Sequence, residues 1–462
     1  MDTCPDKTPK TESREPDSCQ STSTISDRFA ATALAYLHRL PRATYPETAA
    51  AVLLPLPSGA VFKSAASDFQ VDEILPFAAD GDGHHLLLHI RKERRNTTDI
   101  QKALSVLVGC RQSDIGYSGL KDFHAVTTQW FTAPLTAGGE TSERVITELK
   151  EGRVGECLKW FESLLRTGLG ERAASVEIIS IARHQRKLRQ GTHRRNRFKL
   201  VLRGCDSHEN FEQRLKWIQQ SGFPNYFGLQ RFGRGASNLR AFHRRWGSAE
   251  GSGLKTSVAS GKRAKGRLRS QDQMTVSAMR SLVFNLYCAS RVADDSWLSA
   301  GLQEPLLVGD GNSFFLNDSS DDTVQERVES GKLATSGPLF GQIDASEVTL
   351  ASRLQQERDD TLSSLNSDSL LSSTLGRLLG PADSAEPGRI AESGSIFGVL
   401  GLRHRRRALR RFAHDLCWRW LDETTLELCF ELATGTYATA LLHQLGDLTD
   451  GSQVVSGNNK LL

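Results

Sequence analysis

A mixed α+β fold is predicted from three features: short runs of period-two alternation, apolar repeats at helical spacing between them, and a strand-like run near the C-terminus. Leu86-Leu87-Leu88-His89-Ile90 reads as a short buried strand, and Phe198–Arg203 alternates, giving a strand with one basic face. Phe211, Leu215 and Ile218 recur at helical spacing, with Gly222 placed to stop that helix. These elements define a mixed body from about 35 to 250. The last strand, Leu426-Glu427-Leu428-Cys429-Phe430-Glu431-Leu432, arrives much later.

The stretch between differs in character. It opens with Gly251-Ser252-Gly253 and a basic loop, followed by a helix whose apolar face is Met279, Leu282, Val283, Leu286 and Tyr287. Gly309-Asp310-Gly311 and Ser336-Gly337-Pro338 are turn-like. Residues 356–395 are rich in Ser, Asp, Leu and Gly; Leu370, Leu371, Leu375, Leu378 and Leu379 fit one short amphipathic helix, and the rest reads as a solvated low-complexity loop. Residues 1–28 are polar and poor in aromatics, a disordered tail by composition.

A chain of 462 residues exceeds one compact core and implies two or three domains. No uncharged apolar stretch is long enough to span a membrane. Met1–Ser26 lacks the apolar core of a secretory signal and carries Arg14 as its one arginine, so a cytoplasmic location is expected. The eight cysteines show no two-residue spacing, and the histidines lack metal-ligand spacing, so reduced thiols and no metal are expected.

The net charge of +4 is modest, but its distribution is not. Residues 183–203 hold nine Lys or Arg and no acid. A second acid-free cluster is Arg403, Arg405, Arg406, Arg407, Arg410 and Arg411, and a third is Lys262, Arg263, Lys265, Arg267 and Arg269. Segregated basic surface of this kind suits a polyanion, because each neutralised phosphate releases counterions.

The chemistry points to Gly116–Phe131. Its glycine-led turn delivers one carboxylate, Asp122, to the start of an alternating strand, and an aspartate held away from bulk water can act as a nucleophile on carbon. This run follows Asp68-Phe69-Gln70-Val71-Asp72-Glu73 and His85–Lys92 with Asn96-Thr97. It precedes Arg183–Gly191, Asn196-Arg197-Phe198, Pro224–Gly233 and Gly435-Thr436-Tyr437-Ala438-Thr439. In content and order these blocks resemble the TruD family of tRNA pseudouridine synthases, from about residue 35 to about 445.

The resemblance implies a discontinuous pseudouridine-synthase-like catalytic domain, residues 35–250 and 414–462, built on a mixed, largely antiparallel sheet with flanking helices. Residues 251–413 would form an inserted α+β domain. It implies a cofactor-free monomer that isomerises a uridine of tRNA, at position 13 in the D-arm, with Asp122 as nucleophile. The route through sugar attack, base attack or elimination stays open.

The matching positions offer Phe69, Phe227 and Tyr437 as stacking walls, Asn225 to read the uracil edge, Lys63 to pair with Asp122 or a phosphate, and Lys121 to keep Asp122 ionised. Each has a plainer reading: core packing for Phe69, Phe227 and Phe232, a turn for Asn225, packing for Tyr437, solvation for Lys63. His124 is read as structural, and Arg231 as a phosphate contact or an internal ion pair. Phe123 departs from the family, which has a basic residue after the aspartate, and Tyr437 replaces the phenylalanine of some relatives. Two other functions fit parts of the pattern: a non-catalytic RNA-binding protein, and a glycosidase that would need Asp72 or Glu73 as a second carboxylate.

Overall fold

The computed structural model describes residues 24–44, 56–136, 138–170, 175–247, 270–311, 313–319, 321–343, 348–365, 369–379 and 395–454. In chain order the strands are β1 (Ser58–Phe62), β2 (Phe69–Ile74), β3 (His85–Glu93), β4 (Gly116–Tyr117), β5 (Val126–Pro134), β6 (Val176–His184), β7 (Arg195–Arg203) and β8 (Phe223–Pro224). There follow β9 (Pro305–Val308), β10 (Phe314–Leu316), β11 (Leu333–Leu339), β12 (Arg405–Ala408), β13 (Arg410–Arg411), β14 (His414–Trp420), β15 (Thr425–Ala433) and β16 (Asp447–Asp450).

The main sheet runs β14-β15-β7-β2-β5-β3-β6, with β1 joined to β7 and β16, and β4 to β5. The β2–β5 and β1–β16 pairs are parallel and the other pairs in this sheet antiparallel, which is the mixed, largely antiparallel arrangement expected. β15 pairs with β7 along its whole length, from Thr425↔Arg203 to Ala433↔Arg195, so the C-terminal segment is part of the central sheet.

Alternation sorts the side chains onto two faces. On the inner face Phe69, Val71 and Glu73 of β2 lie beside Leu200, Phe198 and Asn196 of β7, which lie beside Leu428, Phe430 and Leu432 of β15. Beyond β2, Thr127, Gln129 and Phe131 of β5 lie beside Lys92, Ile90 and Leu88 of β3. Helices His208–Ser221 and Ala438–Leu445 cover the apolar residues on the β15 side, and Thr97–Leu107 and Val154–Leu169 cover those on the β3 side. Between them the inner face carries Glu73, Thr127, Gln129 and Lys92, all buried, and the β4–β5 loop crosses there.

The basic face of β7 is present as expected, but it is neutralised. Lys199 Nζ lies 2.9 Å from Glu427, and Arg197 lies 2.7 Å from Glu431, both on the neighbouring strand. Alternation in β15 puts its glutamates opposite β7's basic residues, and such cross-strand pairs stabilise the sheet.

A second sheet, β10-β9-β11-β12, packs with the helix Ser270–Ala293. The helices Val348–Ser363 and Ser369–Leu379 lie beside it and bury Leu354, Leu371, Leu375, Leu378 and Leu379 in a cluster with Phe242, Met279 and Phe397. The leucines predicted as one helix do form one. The solvated-loop reading of 356–395 fails at its N-terminal end, where residues 356–363 continue a helix; the remainder from 380 to 394 lies outside the described residues. The reason is Glu357, whose side chain is fully buried against fully buried Arg406, Nη2 to Oε1 2.6 Å. Composition shows the acid but not its partner.

The helix Ile25–His38 begins inside the segment read as a tail. Thr24 caps it by accepting from Asp27 N at 3.1 Å while Asp27 accepts from Thr24 N at 3.0 Å, a capping box, and Phe29, Ala33 and Leu37 join the Phe242 cluster. Among the described residues no helix is long and apolar enough to cross a membrane.

Removing one partner of a buried ion pair leaves an uncompensated charge. Glu357→Leu is therefore expected to destabilise by about 3–5 kcal/mol in urea unfolding. A loss below about 1 kcal/mol, the range of exposed pairs, would mean that water reaches Arg406.

Candidate active site

Asp122 sits in the β4–β5 loop, its side chain 40% exposed, with Lys63 Nζ donating to Oδ2 at 2.8 Å. The same ammonium lies over the Phe69 ring at 4.2 Å from its centroid. Lys63 follows β1 with φ of +59°, a left-handed conformation that costs a non-glycine residue on the order of 1–3 kcal/mol. Support comes from the C-terminal strand: Phe62 pairs with Asp450, and Gly451 packs so tightly on Lys63 and Ser64 that an added Cβ would meet their backbone at about 3 Å.

The loop is anchored from below. Lys121 Nζ donates to Glu73 Oε1 at 3.0 Å and Asn196 Oδ1 at 2.9 Å, and its backbone N–H donates to Thr97 Oγ1 at 3.2 Å. The Thr97 hydroxyl donates to Gln129 Oε1 at 3.0 Å, and the Gln129 amide donates to the Gly119 carbonyl. Gly191 N donates to the Ser118 carbonyl at 2.7 Å. The expectation that Lys121 keeps Asp122 ionised is corrected: its ammonium is held by Glu73 and Asn196, and Lys63 is the cation on Asp122.

Burial raises the Glu73 carboxyl against the opposing pull of Lys121. His193 Nδ1 is 3.4 Å from Glu73 Oε1, yet burial, with the Lys121 ammonium added, pushes the imidazole down to about 4. The short distance would favour a charged ring; desolvation wins, and His193 is neutral at pH 7. Lys92 donates to the Arg95 carbonyl at 2.7 Å, and burial lowers it to about 8, with Lys121 acting in the same direction and Asp122 opposing.

A second group gathers at the end of β15 and after β8. Tyr437 and Phe227 are both half-buried and meet edge to face, centroids 5.8 Å apart. Both pack on the core cluster that contains Phe69, whose ring meets Phe198 at 6.1 Å, which stacks on Phe430 at 5.3 Å. Asn225 is buried; its Nδ2 donates to the Ala408 carbonyl at 2.9 Å and its Oδ1 accepts from Arg407 at 2.7 Å. Both ends of that amide are therefore engaged, which corrects the expectation that it reads a base edge in this state. Phe69 is likewise buried, with Lys63 over its ring, and serves as a floor. His124 is exposed and meets Phe123 edge to face, and Arg231 donates to Ser277 and Ser281 of the helix Ser270–Ala293.

The basic clusters separate into internal and external groups. In the second, Arg406 pairs with Glu357, Arg410 donates to the carbonyls of Val328 and Glu329 at a helix C-terminus, and Arg411 donates to Gly309 and Asp310. Arg403 and Arg405 alone remain exposed there. This overturns most of that cluster as polyanion surface. From the first cluster Arg186, Arg189 and Arg194 are exposed and carry no ion pair among the described residues. The third cluster lies outside the described residues.

Asn196 and Lys92 carried no role in the sequence blocks, and Glu73 carried one only in the glycosidase alternative, not as the anchor of this loop. A signal was present: Glu73 follows Phe69 and Val71 on the apolar beat of β2, so alternation itself buries a carboxylate. Asp72, one residue earlier, faces the opposite side with Thr128 and Arg197 around it.

The family model described as tRNA pseudouridine synthase D (TruD) matches residues 55–241. A tRNA pseudouridine synthase D from Xanthomonas euvesicatoria pv. vesicatoria is 35% identical over 409 residues, covering 87% of this chain and 96% of the relative. Another from Methylococcus capsulatus is 32% identical over 380 residues, covering 82% and 88%. The chain is also similar to the crystal structure of a Methanosarcina mazei protein assigned to tRNA pseudouridine synthase D, with TM-score 0.53, 18% identity and coverage of 86% and 95%. At that identity the likeness is one of fold.

The neutral state of His193 sets a pH dependence. Its pKa is about 4 folded against 6.5 unfolded, so between these values the unfolded chain takes the proton and stability falls as pH falls. His193→Gln is expected to reduce the slope of unfolding free energy against pH across that window by up to about one proton. An unchanged slope would show that the ring is charged in the folded protein.

Proposed function

Because this chain belongs to the tRNA pseudouridine synthase D (TruD) family of isomerases, we propose that it converts a uridine of tRNA to pseudouridine with Asp122 as nucleophile. The uridine is the one at position 13, as the sequence resemblance implies. The reaction breaks the bond between C1′ and N1, turns the uracil, and joins C1′ to C5. The C5 proton leaves as N1 gains one, so substrate and product are isomers and no other reactant enters.

The observation that carries this reading is the Asp122–Lys63 pair, 2.8 Å long, in a loop that the inner-face polar residues hold in place. A carboxylate that attacks carbon must be held in place, and the Lys63 ammonium holds Asp122 by its Oδ2. Lys63 is aimed there by a left-handed backbone that nothing in a free turn would impose.

The target base leaves its stack at a cost of a few kcal/mol. Stacking on an aromatic ring returns about 1–3 kcal/mol. Tyr437 is the favoured platform, because Arg407 already lies over the Phe227 ring at 4.0 Å and Lys63 over Phe69. The exposed Arg186, Arg189 and Arg194, on the chain that leads into β7, supply phosphate contacts. A glycosidase is disfavoured, since Glu73 is locked on Lys121 and Asp72 faces away.

Asp122→Asn is expected to abolish pseudouridine in a tRNA transcript while retaining tRNA affinity; product at the wild-type rate would refute the assignment, and release of free uracil by the wild type would favour a glycosidase. Reversing Arg186, Arg189 and Arg194 to Glu should lower the slope of log affinity against log salt by about 2–3, since each lost phosphate contact is worth about 0.7–0.9. An unaltered slope would place the tRNA elsewhere.

A further inference from the structure

We infer that Arg407 is a positioning residue through which the segment 270–411 sets the geometry of the base-binding wall. The inference rests on the reading of Tyr437 as the base platform, backed by Phe227. Arg407 lies on β12, outside the main sheet, yet its guanidinium reaches Asn225, the Phe227 ring and the turn that leads to Tyr437. Nη2 donates to Asn225 Oδ1 at 2.7 Å and to its carbonyl at 3.1 Å, and Nε donates to the same carbonyl at 3.2 Å. Nη1 donates to the Gly435 carbonyl at 2.8 Å, two residues before Tyr437. The planar group lies over the Phe227 ring at 4.0 Å and the Phe284 ring at 5.4 Å.

The same segment grips Phe227 a second time. Asn285, fully buried on the helix Ser270–Ala293, accepts from Phe227 N at 2.8 Å and donates to its carbonyl at 3.0 Å. Asn225 N donates to the Leu409 carbonyl at 2.7 Å. Strand β12, Leu409 just after it and a helix of this segment therefore fix Asn225–Phe227, and Arg407 extends the grip to the Gly435 turn.

Only a guanidinium fits this role. Its N–H groups point outward in one plane and reach two carbonyls and an amide oxygen while its face covers a ring. A lysine keeps the charge but offers a compact ammonium that cannot span Asn225 and Gly435 together. With lysine the Gly435 turn loses its tie to Asn225, Tyr437 is left with its ring contact to Phe227, and the base is held out of line with Asp122.

The test compares wild type, Arg407→Lys, Arg407→Ala and Asp122→Asn on one tRNA transcript, with affinity by filter binding and single-turnover rate at saturating enzyme. Arg407→Lys is expected to slow the step about 10²-fold, the loss typical of a misplaced reacting group, with affinity changed less than about threefold because phosphate contacts remain. Added guanidinium should restore part of the rate to Arg407→Ala. If Arg407→Ala does not fold by circular dichroism, Arg407→Lys decides alone. A wild-type rate in Arg407→Lys, or a defect confined to affinity, overturns the inference. If wild type itself forms no pseudouridine, the reading of the site falls; if wild type turns over and Arg407→Lys equals it, only the role of Arg407 falls.

Discussion

A carboxylate stripped of water, Glu73, holds the loop on which the proposed chemistry rests. Its side chain is wholly buried and accepts from Lys121, while its second oxygen accepts from Trp130 N at 2.9 Å. Removing either charge from such a pair costs several kcal/mol, because the survivor remains desolvated. A hydrophobic replacement for both would pack as well or better. What the pair adds is position: it locks the residue beside Asp122, leaving that carboxylate free to meet Lys63 and solvent.

The same economy governs the sheet. Apolar residues from β15, β7 and β2 fill one half of the inner face and those of β3, β5 and β6 the other, so the polar strip falls between the two sets of helices, touched by Thr97 at the start of one of them. A loop that crosses there finds partners for its backbone in Thr97 and Gln129, and buried polar groups go unpaired at high cost elsewhere. The site is thus a gap in the packing that hydrogen bonds have made rigid.

Much of this was legible from residue order alone. A short apolar run located β3, period-two runs located β7 and β15, helical spacing located His208–Ser221 and Ser369–Leu379, and the glycine-led turn located Asp122. What sequence could not show was pairing across long separations. The run of arginines from 403 to 411 reads as a polyanion surface until Glu357, Asp310 and the carbonyls of Val328 and Asn225 are placed against it. The basic face of β7 met the same fate, because Glu427 and Glu431 lie more than two hundred residues away. Lys121 misled for the opposite reason: adjacency to Asp122 in the chain does not bring side chains together when the backbone turns them apart.

The parallel pairing of β1 with β16 has a consequence for biosynthesis. Lys63 is made early, but the strand that braces it, Asp447–Asp450, leaves the ribosome last among the described strands. Closing that pair spans almost four hundred residues, a slow step of high contact order. A nascent chain therefore carries its aspartate long before it carries a braced counter-cation, and the support under Lys63 is completed only once β16 has been made.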